Sequence, residues 1–194
     1  MIGRISGRLL LKQPPLLLVD VGGVGYEIEA PMSTFYKLPA VGEPVTLHTH
    51  LTVREDAHLL FGFGSVQEKA LFRELIKVSG VGPKLALSVL SGGSVDDFWN
   101  TVRAGDIARL TKLPGVGRKT AERLVVEMRD KAGAGADQAP GLSAPAGSPL
   151  QEARSALAAL GYKPVEIQRY TEAVYKDDMT TEQIIQEALR RAVR

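Results

Sequence analysis

The 194 residues include no cysteine. Disulfides, zinc–thiolate sites and cysteine-ligated iron–sulfur clusters are therefore excluded. No apolar run approaches the roughly 20 residues that a bilayer-crossing helix needs, and the N-terminus lacks a signal-peptide pattern. A cytoplasmic address with no membrane partner is the expectation. No G-x-x-x-x-G-K-[ST] loop occurs, so the chain is not expected to hydrolyse ATP alone. Aromatic residues are sparse at 6%, and residues 1–63 carry five Lys/Arg against six Asp/Glu. That segment lacks the basic, aromatic-lined groove of a general single-strand-binding protein. Apolar (44%) and charged (24%) shares are those of an ordinary globular protein.

An excess of positive charge is present in only one segment. Residues 64–133 hold twelve Lys/Arg and eight Asp/Glu, whereas residues 134–194 hold seven and eight. The basic segment also contains a repeat. Leu75-Ile76-Lys77-Val78-Ser79-Gly80-Val81-Gly82-Pro83-Lys84-Leu85-Ala86 recurs 35 residues later as Leu110-Thr111-Lys112-Leu113-Pro114-Gly115-Val116-Gly117-Arg118-Lys119-Thr120-Ala121. In each copy an apolar lead-in meets Gly-Val-Gly, then a basic residue and a second amphipathic stretch. Glycine permits positive φ and close approach to the main chain. The helix that follows begins with N–H groups lacking intrahelical acceptors and with the positive end of its dipole. Such a corner suits a phosphate, with Lys84 or Lys119 supplying a mobile charge. It cannot read base edges, so backbone binding without sequence preference is expected. Arg123 shares a helix face with Lys119 at i+4 and extends a basic strip. The pattern resembles the helix-hairpin-helix motif of DNA-binding and DNA-repair proteins.

Residues 1–63 read as about five short strands. Pro14-Pro15 interrupts the first, Gly22-Gly23 supplies a turn, and Val45, Leu47, Thr49, Leu51 and Val53 line one face of a long strand. A small barrel of OB type is the expectation. Arg54-Glu55-Asp56 occupies the last turn. By itself this is a solvated hairpin tip. In a phosphate-gripping protein it would repel the DNA backbone where a duplex opens, with Arg54 holding a phosphate beside it. His48, His50 and His58 have no fixed carboxylate partner, so exposed strand histidines account for them better than a metal site does.

Residues 64–133 read as helices. Ser65 with Glu68 forms a capping box, Ser94 caps a helix bearing Phe98, Trp99 and Val102, and the last helix runs from about Arg118 to Lys131. The helical spacing of Trp99 makes it a core residue rather than a base-stacking one. From Gly133 to Pro149 the chain is Gly/Ala/Pro/Ser-rich with one charge, a linker able to span ~20–25 Å as a coil. The expected organisation is thus 1–63 barrel, 64–133 tandem hairpins, 134–149 linker and 150–194 a three-helix module. In that module Leu157 and Leu160 precede Gly161, Pro164 opens the second helix, and Thr180 with Gln183 caps the third. Its A-L-A-A-L-G-Y stretch is similar to the ubiquitin-associated type of three-helix bundle.

The whole chain resembles the RuvA family. The residues that carry this are Met1-Ile2-Gly3-Arg4, Val21-Gly22-Gly23-Val24-Gly25-Tyr26-Glu27, Val53-Arg54-Glu55-Asp56-Ala57, and both Gly-Val-Gly segments through Leu124. The resemblance implies a non-catalytic subunit that binds Holliday junctions in recombination, repair and the SOS response. It implies a homotetramer, one subunit per junction arm, that can double to an octamer. Gly80, Val81, Gly82 and Lys84, together with Gly115, Val116, Gly117, Arg118, Lys119 and Arg123, would contact DNA backbone across the minor groove. Glu55 and Asp56 match the acidic pin, with Arg54 beside it. The C-terminal module would bind the hexameric ATPase RuvB, and the RuvC resolvase would join a larger complex. No cofactor or metal is implied. The linker lacks the longer insert of some relatives, which bears on the reach of the last module.

An enzyme reading competes, since helix-hairpin-helix domains also occur in glycosylases. Those need a catalytic Asp or Lys after the hairpin and often a cysteine-bound cluster. The cysteines are absent here, and Asp130 lies far along its helix.

Overall fold

The computed structural model describes residues 1–134, 148–176 and 179–192. The chain divides into two compact units, Met1–Ala139 and Pro140–Arg194. Most of the expected linker, residues 135–147, lies outside the described residues.

In the first unit, β1 (Arg4–Gln13), β2 (Leu16–Val21), β3 (Val24–Glu29), β4 (Pro44–Val53) and β5 (His58–Phe63) close into a barrel of order β1-β2-β3-β5-β4. Among the described residues the only parallel pairing is between β3 and β5. Alternation in the strands explains the closure: Ile5, Leu9, Leu17, Val19, Ile28 and Leu47 point inward and are buried. Gly22 and Gly23 both take positive φ, as a two-residue turn between β2 and β3 requires. Val53 departs from the expected core stripe. It is 62% exposed, because β4 has by then left the barrel body for the hairpin tip.

β5 joins two cores. Leu60 faces the barrel interior, while Phe61 and Phe63 face outward and pack beneath α2 (Val66–Leu75). Gly62 must be small, since a Cβ there would come within 2.6 Å of Ile28. Phe72 of α2 lies with its ring centroid 5.1 Å from Phe61 and 4.9 Å from Phe63. The barrel and the helices therefore share one apolar layer.

A short helix, α1 (Met32–Phe35), was not expected from sequence. Its Thr34 Oγ1 donates to Glu68 Oε2 at 3.0 Å, and Gly64 N donates to the same oxygen at 3.0 Å. Ser65 Oγ does accept from Glu68 N, as expected for a cap. The Glu68 carboxylate, however, turns to Thr34 and Gly64 instead of completing the box. The buried Thr34 hydroxyl needs an acceptor more than the exposed end of a helix does.

The remaining helices of this unit are α3 (Pro83–Ser91), α4 (Val95–Ala104), α5 (Ile107–Leu110) and α6 (Arg118–Ala134). Ser94 and Asp97 form a reciprocal capping box at the start of α4. Trp99 is partly buried against the helical core, its ring 5.5 Å from that of Phe98. α6 continues through Gly133 to Ala134, beyond the expected end at Lys131.

The second unit contains α7 (Pro149–Ala159), α8 (Pro164–Glu172) and α9 (Thr181–Ala192) around Leu157, Ile167, Ile184 and Ala188. Gly161 takes φ of 93° after α7, and Thr180 and Gln183 cap α9 reciprocally. Leu157 is buried, whereas Leu160 is exposed. Val193 lies outside the described residues.

Candidate nucleic-acid interface

The two repeats fold into two corners of matching geometry. Gly80 has φ of 84° and Gly115, 35 residues on, has φ of 81°. Val81 N donates to Val78 O at 3.0 Å, and Val116 N donates to Leu113 O at 3.1 Å. Gly82 and Gly117 then start α3 and α6: the first helical bonds run from Ala86 N to Gly82 O (3.0 Å) and from Ala121 N to Gly117 O (2.9 Å). Upstream of those bonds, the helix-start amides lack intrahelical acceptors. In the first corner these belong to Gly82, Lys84 and Leu85, because Pro83 has no N–H. In the second they belong to Gly117, Arg118, Lys119 and Thr120.

Gly80, Gly82, Lys84, Gly115, Gly117, Arg118 and Lys119 are all exposed. Lys84 and Lys119 form no ion pair among the described residues, while Arg118 Nε bonds Glu122 Oε1 at 3.0 Å. Val81 and Val116 sit differently from the glycines beside them. Each is only 5% exposed, and each amide is used inside its turn. They anchor the corners in the core, because an apolar side chain between two glycines is the one part of the turn that gains by burial.

Arg123 also differs from expectation. Its Nη1 donates to Ser79 O at 2.8 Å and to Ser79 Oγ at 3.2 Å, so the guanidinium reaches from α6 to the opposite corner. Ser88 on α3 does the reverse, its Oγ donating to Pro114 O at 2.7 Å. Ser88 and Arg123 are 35 residues apart, and so are Ser79 and Pro114. The corners are thus braced by two bonds at equivalent positions of the repeat, each running from one hairpin's second helix to the other's turn. A further tie joins Glu74 of α2 to Lys131 of α6, with Lys77 also on Glu74. Burial pushes the Glu74 carboxyl up, but hydrogen bonds from Lys131 and Lys77 outweigh it and leave it below the ordinary range. Ser88→Ala and Arg123→Ala are each expected to lower stability by about 1 kcal/mol in denaturant melts, the net value of one hydrogen bond. Either variant melting like the parent protein would show that its brace contributes nothing.

Arg54, Glu55 and Asp56 are exposed at the β4–β5 tip, where Arg54 N donates to Ala57 O at 2.9 Å. The two carboxylates make no ion pair among the described residues.

His50 is not an exposed strand histidine. It is half-buried, its ring centroid 5.5 Å from that of Phe72, and its Nδ1 has no hydrogen-bond partner. Burial, then Arg73 and Lys69, hold it below the usual histidine range. The outer face of β4 on which it lies is covered by α2, a packing invisible in the strand's own sequence. Among the described residues no group of three or more His, Asp or Glu side chains could hold a metal, and no helix is long and apolar enough to cross a membrane.

An OB-like barrel carrying two braced, cationic glycine corners defines a DNA-binding protein of the helix-hairpin-helix class. Comparison with known proteins narrows the class. Residues 1–62 match the family model "RuvA N terminal domain", 72–130 the "SAM-like Helix-hairpin-helix tandem", and 148–193 the "RuvA, C-terminal domain". The chain belongs to the RuvA family. It is 56% identical over 199 residues to the Holliday junction branch migration complex subunit RuvA of Thioalkalivibrio sulfidiphilus, covering 98% of each chain. It is 54% identical over 198 residues to that of Pseudomonas paraeruginosa, again covering 98% of each. The identity to the Vibrio vulnificus protein is 53% over 204 residues and the full length of both.

Proposed function

We propose that this chain binds four-way Holliday junctions by their structure, holds them open, and recruits and regulates a hexameric ATPase, RuvB, for branch migration in recombination and repair. The observation that carries the reading is the pair of exposed cationic corners, braced to each other at equivalent positions. Phosphates on one duplex arm are held by the amides of Gly82, Lys84, Gly117, Arg118 and Lys119, with the side chains of Lys84, Arg118 and Lys119 supplying charge. Four copies, one per arm, match a four-armed substrate, and two tetramers face to face enclose it as an octamer. The motor resides on the partner, consistent with the missing nucleotide loop in this chain. Its docking is assigned to the C-terminal unit, where exposed Leu160 and Val165 offer apolar surface to a protein. RuvC joins a larger assembly on the same junction, and the setting is the cytoplasm.

Affinities for four-way, duplex and single-stranded DNA at two salt concentrations test the reading. Four-way DNA is expected to bind tightest and single strands weakest. Equal affinity for all three, or ATP turnover by the chain alone, would refute it.

Glu55 and Asp56 supply repulsion at the crossover. Neutralising both, as Glu55→Gln with Asp56→Asn, is expected to leave junction affinity unchanged or raise it by up to ~10-fold, about 1.4 kcal/mol. The preference for four-way over duplex DNA should fall in the same titration. Weaker junction binding by this variant would contradict the repulsive role.

A further inference from the structure

The β4–β5 hairpin outruns the barrel, and its two faces end differently. Val53 lies opposite His58, Thr52 opposite Leu59 and Leu51 opposite Leu60. Alternation therefore sets Leu51, Leu60, Val53 and His58 on one face, and Thr52 with Leu59 on the other. The second face is covered: Leu59 packs against the helical core, and Thr52 Oγ1 is buried. The first is covered only as far as the barrel extends. Leu60 is buried and Leu51 packs on the barrel core, but Val53 is 62% exposed and His58 is exposed beside it.

Val53 and His58 are the last register pair before the acidic tip, Val53 two residues before Glu55 and His58 two after Asp56. Opposed residues hold their Cβ atoms ~4.5–5.5 Å apart, so the two side chains stand together. Of the three histidines in the chain, His58 alone is exposed. Its ring has no hydrogen bond, ion pair or aromatic neighbour among the described residues. A branched aliphatic group and an imidazole thus present a small open surface that the fold itself does not use. Its position is fixed from behind, where Leu59 is anchored in the helical core.

We propose that Val53 and His58 form a stacking platform for an unpaired nucleobase at the crossover, a role that rests on the junction reading given above. In that reading Glu55 and Asp56 stand where strands part. Repulsion keeps the backbone off the tip but does nothing for the bases released there, which lose a stacked neighbour to water. Every base has a flat face that can lie on an aromatic ring, so the platform needs no particular sequence. The carboxylates next to it disfavour phosphate at the same spot. That leaves the base as the part of a parted strand that can approach Val53 and His58. One hairpin thereby both turns away the backbone and receives the base, at a fixed spacing between the two.

The test compares His58→Ala, His58→Lys and His58→Phe in the full chain. Each is titrated with a four-way junction carrying 2-aminopurine beside the crossover, and with a plain duplex. His58→Ala is expected to bind the junction at least about 5-fold more weakly, the lower end of one base–aromatic stack, with duplex affinity unchanged. The probe base should also fluoresce more brightly in that complex than with the parent protein, having lost a stacked neighbour. His58→Lys should behave like His58→Ala, and His58→Phe like the parent, because a ring carries the contact. Recovery by phenylalanine also guards against misfolding. His58→Ala matching the parent in affinity and brightness would overturn the inference, and so would equal losses on junction and duplex. His58→Lys binding as tightly as the parent would also overturn it, making the position a phosphate contact. A parent protein that binds duplex as tightly as the junction would instead refute the junction reading itself.

Discussion

Lys84→Ala combined with Lys119→Ala is expected to bind every DNA at least ~100-fold more weakly than the parent protein. A hydrogen bond to a charged group contributes about 1.5–3 kcal/mol, and each 1.4 kcal/mol is tenfold in affinity. Both lysines are exposed and form no ion pair among the described residues, so removing them leaves the folded chain intact. The slope of log affinity against log salt should also flatten, by about 0.9 for each phosphate no longer neutralised. Because the corners meet phosphate and not bases, four-way and duplex DNA should lose affinity alike. Fluorescence anisotropy over a salt series measures both quantities. An unchanged slope would remove the lysines from the interface.

The second large effect concerns stability. Phe72→Ala is expected to lower it by ~3–5 kcal/mol, the cost of emptying a fully buried aromatic site. Phe72 is 0% exposed and touches Phe61 and Phe63 of β5 as well as the His50 ring. The layer it completes belongs to both barrel and helices. The barrel and the hairpin region should therefore unfold together, in one denaturant transition reported equally by Trp99 fluorescence and by far-ultraviolet dichroism. A variant whose helices melt while the strands persist would show that the shared layer does not couple them.

Much of this was legible in the sequence, for definite reasons. The 35-residue repeat, the glycine corners, the cap at Ser94 and the turn at Gly22-Gly23 rest on neighbours within a few residues, and each is found where local chemistry requires it. The five strands follow from alternation, and their edges from Pro14-Pro15 and the glycines. What was missed shares a different property. Glu68 reads as a cap because Ser65 lies three residues before it, yet its carboxylate answers to Thr34 and Gly64. His50 reads as an exposed strand residue, but α2 packs over it. That the side chains of Val81 and Val116 enter the core is likewise set by the helices packed around them.

Arg123 draws the boundary most clearly. Its charge and its place one turn beyond Lys119 are matters of sequence, and so is the kind of corner it accompanies. That its guanidinium crosses to Ser79, while Ser88 answers at Pro114, depends on how two hairpins lie against each other. The sequence by itself determined the elements, the repeat and where positive charge collects, since those are set by backbone sterics and short-range periodicity. Only the tertiary structure decided which polar groups brace the corners and which face of the β4–β5 hairpin is left bare. Those choices belong to residues far apart in the chain, brought together when apolar faces leave water.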